Sequence, residues 1–276
     1  MKKYTLNIIT ALVILAGLTL ISYPFLGDWY NRLHQGQVMQ NYDQDVAGIN
    51  QAELDRERAQ ARAYNESLLG TVQLTDPFEA DANQTSSGSY HSILNIGGDG
   101  MMGYIRIPAI DVKLPIYHGT GEDILDKGVG HLEQTSFPIG GESTHTVLSA
   151  HTGSPAAELF TNLDKLEKGD LFFLEVLGET LAYKVDQIKV VDPTDIDSLM
   201  IESSKDYATL VTCTPYGINS HRLLVRGERT EYIEEQDQNV AGQSMVTSKR
   251  YIIMIVCLCF LAVSIITFII IRKRTR

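Results

Sequence analysis

The sequence predicts a mainly β protein, an eight-stranded β-barrel with an N-terminal helical extension, a long loop before the barrel and two flanking transmembrane helices. Three observations lead there. Past Gly100 the chain falls into eight short runs rich in β-branched and aromatic residues, each bounded by turn residues, which is the pattern of a closed or nearly closed β-sheet. Before them lies a proline-free stretch from Trp29 to Leu69 with apolar residues at helical spacing. Each end of the chain carries an apolar run of about the length that crosses a bilayer.

Residues 1–27 open on two lysines and run apolar from Ile8 to Phe25. The run reads as a transmembrane anchor or a signal peptide, and the lack of a clean small-x-small cleavage site before Pro24 favours the anchor. Residues 28–74 form the helical extension, with Val38, Tyr42, Val46 and Ile49 close to one helical face and a break near Gly48, as in a stalk that packs on the main domain. From 75 to 100 the composition shifts to Asp, Asn, Ser and Gly, a long loop, and loops of that length inside a compact unit are functional or disordered.

The barrel spans 101–230 through the runs GYIRIP, IDVKLPIYHG, GVGHL, HTVLSAH, LFFLEV, LAYKVDQIKVV, YATLVTC and HRLLVRGE, with one short helix expected near AAELFTNLDKL. A linker covers 231–250. The run 251–271 holds no charge and ends at the basic tail RKRTR, 272–276, so it reads as the second transmembrane helix. Lys2 and Lys3 at one end and Arg272, Lys273, Arg274 and Arg276 at the other place both termini in the cytoplasm and the segment between the spans outside the cell membrane.

That outer segment keeps 15 of the 23 Lys and Arg residues against all 34 Asp and Glu, a net charge of about −19, which argues against a nucleic-acid partner. It shows no phosphate-binding glycine loop and no paired CxxC metal motif. Of the three cysteines, Cys257 and Cys259 lie within the second span, leaving Cys213 without a disulfide partner in its own domain. An unpaired thiol outside the cell is prone to oxidation and calls for a reason.

Strand alternation puts Thr209, Val211 and Cys213 on one face, and after the turn TPYGIN the next strand carries Arg222, Leu224 and Arg226 on one face. Cys213 and Arg222 are thus expected side by side at the mouth of a hairpin-like pair. A nucleophilic thiol needs a base or a cationic neighbour, because free cysteine is only a few per cent thiolate at neutral pH. Seven histidines are available. His34 falls in the stalk and His91 in the polar loop, while His118, His131, His145, His151 and His221 belong to the barrel. His151 stands out because it ends a strand and opens into a Gly/Ser/Pro loop, where sites are built. On residues alone three readings of Cys213 stay open: a nucleophile, a zinc ligand with His145 and His151, and a buried structural thiol.

The segment TLVTCTPYGINSHRLLVRGER resembles the active-site signature of the sortases, cell-surface cysteine transpeptidases of Gram-positive bacteria, and VLSAHTG resembles their catalytic-histidine segment. GHLEQTSFPIGGESTHTVLSAHTG and the two-span architecture look most like the class C, pilin-polymerising, sortases. The resemblance covers Gly100 to Arg229 and implies a sortase-like barrel with Cys213 as nucleophile, His151 as general acid/base and Arg222 as the residue that stabilises the oxyanion and holds substrate. A backbone N–H near Thr214 would assist. It further implies cleavage of an LPXTG-like signal between Thr and Gly through a Cys213 thioester and transfer to a pilin lysine, with no cofactor or metal. Asp76, Pro77 and Phe78 resemble the class C lid, with Asp76 engaging Arg222 and Phe78 covering Cys213. Two other readings remain, a housekeeping sortase that anchors surface proteins to peptidoglycan and a membrane-tethered binding barrel with an inert thiol.

Overall fold

The computed structural model describes residues 30–69, 74, 76–78, 89–152 and 158–234, with the isolated Gly17 and Gly27. The expected spans at 1–27 and 251–271 and the tail lie outside the described residues, as does nearly all of the linker 231–250. Among the described residues no helix is long and apolar enough to cross a membrane.

Eight strands fall where the β-rich runs predict them: β1 (Met101–Ile107), β2 (Val112–His118), β3 (Val129–His131), β4 (Thr144–Ser149), β5 (Leu171–Val176), β6 (Glu179–Val191), β7 (Asp206–Thr214) and β8 (His221–Thr230). They close in the order β1-β2-β3-β4-β7-β8-β6-β5, so that β5 pairs back onto β1. The β2-β3 and β4-β7 pairs are parallel and the other six antiparallel. Closure leaves no exposed sheet edge.

Alternation along the strands sorts side chains between a main core and smaller apolar clusters. Ile105, Ile116, Leu148, Phe172, Leu210 and Val225 fill the main one. Gly227 belongs to this packing, since a Cβ there would stand 2.6 Å from a ring carbon of Phe172. The alternate residues of β4, β7 and β8, Val147, Val211 and Leu224, meet a second apolar cluster with Leu132, Leu199 and Leu74. The face that carries Cys213 and Arg222 is therefore covered, not bare.

Two helices lie against the barrel, α1 over 30–48 and α2 (Gln51–Ser67), with the break at Ile49 and Asn50 next to Gly48. Asn50 caps α2, its side-chain oxygen accepting from Glu53 N at 3.0 Å. On α1 the buried residues are Gln35, Met39, Tyr42 and Val46, one helical stripe. The Tyr42 hydroxyl donates to Met102 O and accepts from Leu177 N, each at 3.0 Å, so α1 is tied to both β1 and the β5-β6 turn. Asn65 of α2 exchanges two bonds with the backbone of Phe137, at 2.7 Å and 3.3 Å.

Two local expectations change. The helix expected near AAELFTNLDKL is, among the described residues, a run of turns ending in a 3₁₀ turn at Leu163–Lys165, and Leu159 has a φ of 38°, which no α-helix permits. A one-turn helix, α3 (Glu122–Leu125), follows β2 instead. The loop expected over 75–100 is also not of one kind. Its second half forms a 3₁₀ turn at Tyr90–Ser92 and buries Tyr90, Ile93 and Leu94 in the main core, because SYHSILNI holds enough apolar surface to pack.

Candidate active site

The parallel register of β4 on β7 runs Thr144↔Asp206 to Ser149↔Val211. Carried two residues further it sets His151 level with Cys213, and two bonds extend the pairing: Ala150 N to Val211 O at 3.2 Å and Thr212 Oγ1 to Ala150 O at 2.8 Å. On the other side of β7, Cys213 is the direct cross-strand partner of Arg222. His151, Cys213 and Arg222 thus form one row across three adjacent strands, and neighbouring strands lie about 5 Å apart. Thr214 comes next on β7, opposite His221.

Arg222 is 7% exposed, and every nitrogen of its guanidinium is directed. Nη1 donates to Asn219 O at 3.2 Å and to His221 O at 3.3 Å, which fixes the head of the side chain against the β7-β8 turn. Nε donates to Asp76 Oδ1 at 2.9 Å and Nη2 to Asp76 Oδ2, a bidentate ion pair with a partner 146 residues earlier in the chain. Asp76 also accepts from Phe78 N at 3.3 Å, closing a local turn around Pro77.

The Phe78 ring lies 5.0 Å from the Arg222 guanidinium and 5.9 Å from the His151 ring, the two side chains on either side of Cys213 in the row. Leu74, two residues before Asp76, is buried in the apolar cluster of β4, β7 and β8. Leu74, Asp76 and Phe78 are thus held on this face by an ion pair flanked by apolar contacts.

The thiol of Cys213 is half-buried. Burial pushes its pKa up from the ordinary value, the charge of Arg222 pulls it down and the charge of Asp76 pushes it up again. Asp76 thereby opposes the influence of Arg222 on the thiol.

The other histidines separate by their bonds. His145, on the same strand as His151, donates or accepts through both ring nitrogens, to Met200 O at 2.9 Å and Thr209 Oγ1 at 2.7 Å, and burial pushes its pKa down to about 4. Its ring is therefore committed to the fold, which removes it from the zinc set with Cys213 and His151. His131 is buried between Tyr90 and Ser136 O, each at 2.9 Å, with its pKa pushed down to about 3 by burial. His118 bonds to Gly100 O and Ile93 O at 2.9 Å and 2.7 Å. His34 and His91 are exposed. His221 is half-buried beside the turn, its Nε2 3.5 Å from Asp192 Oδ1.

Sequence reasoning did not find two residues at this site. Leu74 carried only the signal of an apolar residue in a polar stretch. Asp126, whose Oδ1 lies 4.0 Å from His151 Nε2, had none, since the approach is made through space from α3.

A closed eight-stranded barrel with a cysteine, a histidine and an arginine aligned at one end of adjacent strands is the architecture of a cysteine transpeptidase of the sortase type. The family model described as "Sortase domain" matches residues 105–230. A crystal structure of sortase C from Streptococcus pneumoniae, in a study of its catalysis and pilin substrate specificity, is similar at 49% identity, with 71% of this chain and 97% of that one covered and a TM-score of 0.65. Sortase C1 of Streptococcus agalactiae is similar at 47% identity, covering 71% of this chain and 96% of that one, TM-score 0.66. Sortase D of Bacillus subtilis is 33% identical over 130 residues, which span 46% of this chain and 63% of that protein. The chain belongs to the sortase family.

Proposed function

We propose that this chain is a pilin-polymerising transpeptidase, anchored in the cell membrane by spans at 1–27 and 251–271 with its barrel outside. Cys213 Sγ attacks the Thr–Gly carbonyl of an LPXTG-like signal, and the oxyanion is met by Arg222 and the backbone N–H near Thr214. His151 gives a proton to the departing glycine amine, leaving a thioester on Cys213. A lysine amine of another pilin subunit then attacks the thioester, His151 takes its proton, and an isopeptide bond replaces the C–S bond. The chemistry calls for no cofactor.

The observation that carries this reading is the row His151, Cys213, Arg222 fixed by strand register. Support for the pilin class comes from the similarity to the sortase C structures and from the seat of Asp76 and Phe78 on Arg222. Residues 76–78 act as a lid. Asp76 occupies Nε and Nη2 of Arg222, the donors that a substrate oxygen needs, so substrate and lid compete for one guanidinium. Such a lid opens reversibly, because a buried ion pair is close to neutral in net energy and both partners regain water when it parts.

The test is to incubate the full chain with an LPXTG-type peptide and look by mass spectrometry for an acyl adduct on Cys213, with a purified pilin for polymer formation. The adduct and lysine-linked polymers are expected, and neither with Cys213→Ala. Polymer formed by Cys213→Ala sinks the assignment.

A further inference from the structure

Asp126 is an acid placed beside His151 by a rigid support. It follows α3, and its own N–H donates to Glu122 O at 2.9 Å. Leu125, the preceding residue, is 2% exposed and pins the turn to the barrel. The cation next to it in sequence, Lys127, has its Nζ over the Tyr117 ring at 4.5 Å.

Asp126 Oδ1 and His151 Nε2 are 4.0 Å apart, with side chains 69% and 30% exposed. That gap is too long for a direct hydrogen bond and short enough for one nitrogen to reach both at about 2.9 Å. A primary ammonium has three N–H donors and fits the position, one donor on the carboxylate while the nitrogen lies against the imidazole.

We infer that Asp126 recognises the acyl acceptor, holding the lysine ammonium of the incoming subunit beside His151, an inference that rests on the transpeptidase reading above. The ammonium gives one proton to solvent and becomes the attacking amine. Its nitrogen bonds to the thioester carbonyl carbon, a second proton passes to His151, and the C–S bond breaks to return Cys213 as thiolate, which His151 reprotonates. Asp126 touches the acceptor and not the donor signal, so it governs which nucleophile resolves the acyl-enzyme. Water, the competing nucleophile, carries no charge for it to hold.

The experiment measures partitioning. The full chain is acylated with an LPXTG-type peptide in the presence of a lysine peptide with a blocked α-amine, and the ratio of amide product to hydrolysed product is read by mass spectrometry. This ratio counts only enzyme that has been acylated, so misfolding or slow acylation leaves it unmoved. Asp126→Asn is expected to lower the ratio about two- to fivefold, the range for an exposed ion pair, and Asp126→Glu to restore most of it. Added salt is expected to lower the wild-type ratio toward that of Asp126→Asn.

An unchanged ratio in Asp126→Asn overturns the inference, as does a parallel fall of both products, which marks a role confined to orienting the His151 ring. If the wild type forms no adduct on Cys213, the transpeptidase reading itself fails and this inference with it. An adduct with an unmoved ratio removes only the role of Asp126.

Discussion

The described residues of the segment before the barrel, 74 and 76–78 on one side and 89–100 on the other, are held in different ways. In the second, Tyr90 is fully buried, its hydroxyl donating to His131 and accepting from Gly119 N at 3.0 Å, with its ring stacked on Phe137 at 5.4 Å. In the first, the contacts are an ion pair between Asp76 and Arg222, the ring of Phe78 and the side chain of Leu74. One part belongs to the core. The other rests on the outer face, and its polar attachment is to Arg222, the cross-strand neighbour of Cys213. The segment was expected to be one long loop over 75–100; its described residues divide into a part seated on Arg222 by Asp76 and a part packed into the main core.

That difference sets out graded ways to break the arrangement. Tyr90→Ala removes a buried aromatic and its hydrogen bonds and is expected to cost about 3–5 kcal/mol, seen as a lower denaturation midpoint by urea titration. Under the proposed function, Arg222→Ala strikes both the seat of Asp76 and the oxyanion. Its adduct formation rate is expected to fall about 10²–10³-fold at little cost in midpoint, which separates chemistry from folding. Leu74→Ala loosens only the lid, and labelling of Cys213 by a small thiol reagent is expected to rise about tenfold, as follows from losing roughly 1.4 kcal/mol or more of apolar burial in the closed state.

Much of this was legible in the sequence. Eight runs of β-forming residues marked eight strands, and alternation on either side of TPYGIN let Cys213 and Arg222 be expected side by side, although register itself is not visible in sequence; the structure pairs the two directly. The level placement of His151 was not legible. It depends on parallel pairing of β4 with β7, strands far apart in the chain, and no local pattern encodes it. The contact of Asp76 with Arg222 across 146 residues was expected only from family resemblance, since Asp-Pro alone reads as a turn. The packing of Tyr90 was obscured by its polar neighbours. Asp126 lies beyond any sequence signal, because its value comes from a gap of 4.0 Å and not from a motif.

The central claim is that residues 76–78 cover the thiol and restrain its ionisation. The direct measurement is the rate of thiol labelling at Cys213, as a function of pH, in the wild type and in Asp76→Ala with Phe78→Ala. The sign follows from the charges. Burial and Asp76 raise the thiol pKa while Arg222 lowers it, so removing the cover and the carboxylate leaves Arg222 to favour the thiolate. Labelling of the double variant is expected to be at least about tenfold faster near neutral pH, with its pH midpoint moved to lower pH and the denaturation midpoint nearly unchanged. Equal rates and equal pH midpoints in the two proteins would contradict the account.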